Sequence, residues 1–149
     1  MRAATMGRVV VPAKIESQED LYSVEQGKLA RENVRSIDVS EALVDTGATY
    51  LSLPRRLIQQ LGLRRFRTRR SRTATGFAEV GMYGSVQLTV QGRDCFAEVA
   101  EVSDDCPVLI GQIPLESLDF VVDPINHRLI GNPDHGGEHM FDLLGIYEI

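Results

Sequence analysis

Cysteine is scarce in this sequence. Cys95 and Cys106 are the two in 149 residues, with neither the spacing of a metal-ligand pair nor the density of a secreted disulfide scaffold. Free thiols in a reducing compartment are the expectation, with a single bridge between the two as the other reading. Long apolar runs are also missing: Val9-Val10-Val11 is interrupted at Pro12 and followed by Lys14 and Glu16, so neither an export signal nor a bilayer-spanning stretch is visible. We therefore expect a cytoplasmic chain with no membrane partner. Repeats and low-complexity tracts are absent as well. Positive charge is in deficit, 16 Lys and Arg against 21 Asp and Glu for a net charge of −5, which weighs against generic nucleic-acid binding.

What is present describes a globular protein. A composition 43% hydrophobic and 25% charged, with mean hydropathy −0.11, suits a soluble fold. The length suits one domain and one core, so residues 1–149 are read as a single unit with a core of about residues 7–131 and a C-terminal tail, 132–149.

Along the chain, β-branched residues from Arg8 to Ile15 predict a first strand. Leu21 to Glu25 reads as a weak second strand, joined to the first near Ser17-Gln18-Glu19-Asp20. Val34, Ile37, Val39 and Ala42 to Val44 form a third extended segment ending at Asp45, and Tyr50 to Leu53 a short fourth. Pro54 opens a helix with Leu57, Ile58 and Leu61 on one face, stopped by Gly62. Strands are predicted over Arg64–Thr73, Phe77–Val90 and Cys95–Val102, punctuated at Thr75-Gly76 and Gln91-Gly92-Arg93-Asp94. Val108-Leu109-Ile110-Gly111 reads as a short core strand, with a helical turn possible over Pro114–Leu118. Phe120–Val122 and Arg128–Ile130 flank the turn Asp123-Pro124-Ile125-Asn126.

The focal stretch is Ala42-Leu43-Val44-Asp45-Thr46-Gly47-Ala48-Thr49. It strands one carboxylate at the end of an apolar run, in a turn of small residues. A carboxylate in such a place must be hydrogen-bonded or share a proton with a neighbour. Asp-Thr-Gly alone is also a common turn cap.

In its order along the chain the pattern is more specific. Leu43-Val44-Asp45-Thr46-Gly47-Ala48, then a hairpin with Gly near its tip, then Leu109-Ile110-Gly111 before a short helix, resembles the retropepsin-like aspartic proteases, the single-lobe retroviral type. The resemblance runs over roughly Gly7 to Gly131. It implies a mostly β, closed-barrel-like retropepsin (acid protease) fold with one or two short helices, assembled as a homodimer. It implies an aspartic endopeptidase acting on polypeptide, without cofactor or metal, through a water activated by two carboxylates. Two carboxylates held a few Å apart cannot both ionise, so one serves as base and the other as acid. Asp123-Pro124-Ile125 lacks the Thr-Gly that follows a catalytic Asp, so the second carboxylate would be Asp45 of another copy on a two-fold axis.

Carried over to this sequence, the resemblance gives Asp45, Thr46 and Gly47 to the catalytic loop. Thr46 would bond across the dimer axis, and Gly47 would offer its carbonyl to the substrate backbone. Leu43, Ala48, Thr49, Leu109 and Ile110 would line or back the substrate site. Arg72–Ala78 would form a flap over an extended peptide, with Ala74, Thr75, Gly76 and Phe77 at or beside its tip. The sequence departs from the viral pattern at Thr49 and Gln112, where many members carry an acid and an arginine that brace the dimer, and its flap has fewer glycines.

Other features take plainer readings. The cluster Arg64-Arg65-Phe66-Arg67-Thr68-Arg69-Arg70-Ser71-Arg72 is read as a solvated face or edge protection rather than a nucleic-acid patch. Placed beside a flap, it would instead suit acidic substrates. His135-Gly136-Gly137-Glu138-His139 is read as a flexible tail rather than a metal site, since two glycines oppose a helix that would make the histidines converge. Cys95 and Cys106 are read as small buried hydrophobes. Phe141 to Tyr147 could pack on the chain, join an interface sheet or occlude the cleft. The principal alternative function is a non-proteolytic dimeric peptide-binding module of the same fold.

Overall fold

The computed structural model describes residues 8–146; Gly7 at the start of the expected core and Tyr147 to Ile149 of the tail lie outside them. The fold is mostly β. Nine strands, β1 (Val9–Ser17), β2 (Ser36–Val44), β3 (Leu51–Pro54), β4 (Arg64–Thr73), β5 (Gly76–Val90), β6 (Arg93–Val102), β7 (Leu109–Ile110), β8 (Phe120–Asp123) and β9 (Arg128–Gly131), are joined by three α-helices, α1 (Gln18–Glu25), α2 (Arg55–Leu61) and α3 (Gln112–Leu118).

Seven strands share one sheet in the order β1-β2-β7-β3-β6-β5-β4, and β1 pairs with β5 as well as β2. The ladder β1-β2-β7-β3-β6-β5 therefore returns on itself, leaving β4 as the outer strand. β1 shows why it can take both neighbours. Val9, Val11, Ala13 and Ile15 alternate inward while Val10, Pro12 and Lys14 are exposed, the period-2 pattern of a strand with one buried face. Pro12 has no N–H to give a ladder, and the β1–β2 register shifts between Val11 and Ala13.

Ile15, Leu51, Leu53, Val86, Leu88, Val99 and Ile110 are all 0% exposed inside this ring, and Leu61 of α2 and Leu118 of α3 are equally buried against it. Burial of each such side chain stabilises by about 1.5–3 kcal/mol. α2 ends at Gly62 in the left-handed conformation (φ +64°), the sequence-predicted stop.

Three expectations are corrected. Leu21–Glu25 is not a strand but lies within α1, making three helices where one or two were expected. Ser17 caps α1, its hydroxyl accepting from the Asp20 N–H at 3.2 Å, with Glu19 and Asp20 in the first turn. The helix buries no apolar stripe, so hydrophobic periodicity could not reveal it; the signal was Ser17-x-x-Asp20, the cap spacing. Asp20 is buried and takes bonds from Arg35 N, Nε and Nη2 at 2.8–2.9 Å. The Arg35 guanidinium holds its carboxyl below the usual range, against the opposing effect of burial. Second, the turn between β4 and β5 is Ala74-Thr75, and Gly76 already pairs with Thr73. Third, Cys95 and Cys106 are free but only half buried. Burial, and then Asp94, pushes the Cys95 thiol up to about 11.

Candidate active site

β2 delivers Asp45 into a turn closed by the Ala48 N–H on the Asp45 carbonyl at 3.1 Å. Asp45 is half buried, and its Oδ1 accepts the Gly47 N–H at 2.9 Å; among the described residues no other hydrogen bond reaches this carboxylate. A methyl group on Gly47 would come within 3.2 Å of the same Oδ1. The small residue thus keeps the backbone close to the acid. Thr46 and Thr49 are exposed, Ala48 half buried.

The turn is braced from the side by β7. Leu43 stands beside Leu109 and Val44 beside Ile110 in a parallel ladder, and the Asp45 N–H donates to the Ile110 carbonyl at 3.0 Å. Beyond it Gly111, Gln112 and Ile113 donate to the carbonyls of Tyr50, Ala48 and Thr49 at 3.1, 2.8 and 2.9 Å. Five backbone bonds between 2.8 and 3.1 Å thus fix one short loop around one carboxylate. Gly111 is what permits the approach: a Cβ there would lie 2.4 Å from the Tyr50 carbonyl oxygen and 2.7 Å from that of Ala48. Its φ of −87° is available to any residue, so the requirement is one of space. Leu43 and Leu109 remain half exposed, while Ile110 is wholly buried and stands behind the loop.

The structure therefore brings Leu43, Asp45, Thr46, Gly47, Ala48, Thr49, Leu109 and Ile110 together. Ala74, Thr75, Gly76 and Phe77 form a separate group at the end of the β4–β5 hairpin, all exposed. Thr73 fixes that tip, its hydroxyl donating to the Gly76 carbonyl at 3.0 Å and accepting from the Thr75 N–H at 3.3 Å. Gly76 sits at φ +138° with open space around it. Among the described residues no hydrogen bond joins this tip to the Asp45 loop. The positions of the viral brace, Thr49 and Gln112, lie on adjoining segments but share no hydrogen bond: the Thr49 carbonyl accepts from Ile113, the Gln112 N–H donates to Ala48, and the Gln112 amide donates to Glu116 at 3.2 Å.

Asp123 behaves as a turn cap. It accepts from the N–H groups of Ile125 and Asn126, the Asn126 amide and Arg128, and the Asn126 bond leads in holding its carboxyl low. No cluster of three or more His, Cys, Asp or Glu residues suited to a metal occurs among the described residues.

The tail from residue 132 to 142 is tied down rather than free, which corrects the flexible reading. His135 Nδ1 lies 2.7 Å from Asp119 Oδ2 and its Nε2 2.9 Å from Asp142 Oδ1. The Met140 N–H also donates to Asp119, at 3.2 Å, and His139 Nε2 reaches the Ser117 carbonyl at 3.0 Å. Arg93 adds a clamp, donating to the carbonyls of Leu118, Asp119 and Gly137 at 2.6–3.0 Å while its guanidinium covers the Phe120 ring. These partners are too far apart in sequence for spacing to join them. Within the tied segment Phe141 remains exposed, as do Leu144 and Ile146 beyond it.

The latch is pH-dependent with a definite sign. Its hydrogen bond to His135 takes the Asp119 carboxyl from 3.8 down to about 2, and Asp119, then Asp142, raises the His135 imidazole above 6.5. Asp119 contributes above the unfolded carboxylate value and His135 below the unfolded imidazole value, so the tie is strongest between about pH 4 and pH 6.5 and fades as pH rises through the raised imidazole value. Limited proteolysis within residues 136–142 should be slowest near about pH 5, and H135A should remove that minimum with the rest of the fold intact. Equal cutting of the two proteins at that pH would refute the tie.

A family model described as aspartyl protease matches residues 28–126, a span that includes β2, the Asp45 turn, the β4–β5 hairpin, β7 and α3. No curated protein matches the chain.

Proposed function

This chain belongs to the aspartyl protease family, and from that premise we propose that it is a homodimeric endopeptidase in which Asp45 of two copies forms the catalytic dyad. The observation that carries the reading is the Asp45 turn itself. One half-exposed carboxylate, with one hydrogen bond from its own loop, is held by main-chain bonds to β7, and no second Asp-Thr-Gly occurs in the sequence. Such a loop is half of a symmetric site, and a two-fold axis supplies the other half.

In the dyad one Asp45 is ionised and removes a proton from water as its oxygen attacks the peptide carbonyl carbon. The other Asp45 gives its proton to the carbonyl oxygen. Collapse of the tetrahedral intermediate breaks the C–N bond and passes a proton to the leaving amine. The self-closing ladder supports a closed-barrel-like retropepsin body, and the projecting hairpin, with its ordered tip, supports a flap over an extended polypeptide. The two free thiols favour action in the cytoplasm; no described helix is long and apolar enough to cross a membrane.

Sedimentation combined with cleavage of an unfolded protein tests the assembly. Activity should travel with a species of twice 16.5 kDa and fall faster than linearly on dilution. Cleavage that stays with the 16.5 kDa species would exclude the shared dyad.

A further inference from the structure

β4 is the outer strand of the sheet, hydrogen-bonded to β5 alone. Nine of its ten residues are exposed, so its free edge offers unpaired backbone N–H and C=O groups to solvent. Residues 64–81 hold six arginines, Arg64, Arg65, Arg67, Arg69, Arg70 and Arg72, against one acid, Glu79, in a chain whose net charge is −5. Two of the six are engaged: Arg64 pairs with Glu19, and Arg65 donates to Thr68. Among the described residues Arg67, Arg69, Arg70 and Arg72 have no carboxylate within ion-pair distance, although Arg70 stands directly across from Glu79.

These four are divided between the two faces. Beyond the register shift at Arg65–Arg67, Arg67 and Arg69 share one face and Arg70 and Arg72 the other. Two are held in place by aromatic neighbours, Arg67 over the Phe66 ring at 4.5 Å and Arg70 over the Phe77 ring at 4.3 Å. Protecting an edge takes charge on the strand but no particular spacing of it. Two pairs, one on each face and each at the two-residue spacing of a strand, with one arginine of each pair held over an aromatic ring, match the side chains of an incoming strand.

We propose that β4 is a docking edge for an acidic, extended segment of another polypeptide, which adds to the sheet as an antiparallel or parallel strand with Asp or Glu side chains against Arg67, Arg69, Arg70 and Arg72. The charge selects the occupant. A second copy of β4 would set arginine against arginine, whereas an acidic strand gains main-chain bonds and ion pairs together. Nucleic acid would use the charge but not the open main chain, and the faces of Phe66 and Phe77 that base stacking would need are partly covered by guanidinium groups. The inference does not depend on whether Asp45 is catalytic.

The test is fluorescence anisotropy on the full chain with a labelled ten-residue Glu/Thr peptide acidic on both faces, its intactness checked by mass. The peptide should bind. Its Glu→Gln counterpart should not, and a version N-methylated at alternate amides should bind about tenfold more weakly or worse. Combined R67T, R69T, R70T and R72T changes should cost about tenfold or more, and the peptide should slow amide exchange in β4. The N-methyl and Gln peptides test the wild-type chain should the quadruple variant misfold. Absence of binding, indifference to N-methylation, or equal competition by an oligothymidylate of the same charge would each overturn the proposal.

Discussion

The D45N variant should lose peptide cleavage by about 10³-fold or more while folding and assembling as the parent does. An uncharged amide can neither take a proton from water nor pass one to the scissile carbonyl, and general acid–base catalysis of this kind contributes factors of about 10²–10⁴. In the proposed dimer Asp45 recurs in both copies, so one substitution removes both carboxylates. The structural cost is small for a stated reason: Asn keeps a carbonyl oxygen where Oδ1 accepts the Gly47 N–H at 2.9 Å, and the position is only half buried. A stability change within about 0.5 kcal/mol is expected. Cleavage assay, urea unfolding and solution mass on the same preparation separate the outcomes. Retained cleavage would end the proposed mechanism, and lost cleavage accompanied by unfolding would say nothing for catalysis.

The G111A variant should be among the most damaging single-methyl changes available to the chain. Its Cβ meets the backbone of Tyr50, Ala48 and Thr49 at 2.4, 2.7 and 2.8 Å, and main chain cannot swing aside as a long side chain can. Relief requires β7 and the Asp45 turn to separate, breaking the bonds from Gly111, Gln112 and Ile113. Overpacking of this kind costs about 3 kcal/mol, a loss of roughly 10 °C in melting temperature for a domain of this size. Cleavage should fall further than stability explains, because the displaced loop carries Asp45. An unfolding midpoint equal to the parent's would show that the strand has room that the geometry denies it.

How much of this was legible in the sequence varied with distance along the chain. Local signals worked. β4 runs from Arg64 to Thr73 and α2 stops at Gly62 as read from residue pattern, and the Gln91-Gly92 turn, with both residues at positive φ, is where the Gly-containing turn was expected. The Asp45 turn was visible because small residues after an apolar run leave a mark in sequence. α1 was missed because its only buried residue is Asp20, held by Arg35 fifteen positions away. The tail was misread for the same kind of reason. Gly136-Gly137 suggests freedom, but Asp119 and Arg93 supply restraint from 16 and 44 positions away. The β2–β7 and β3–β6 pairings are parallel and long-range, and no local pattern encodes which strand lies beside which.

The double pairing of β1 also sets an order of events during synthesis. Lys14 to Ser17 face Thr89 to Val86 across the closing ladder, so about seventy residues separate the two sides of that seam. At ordinary translation speeds of 5–20 residues per second, the second side leaves the ribosome roughly 4–14 s after the first. Through that interval the nascent chain can pair β1 with β2 across the intervening α1, yet it carries the other edge of β1 bare. That makes β1 the segment for which a holding chaperone, or a neighbouring nascent chain, competes with β5.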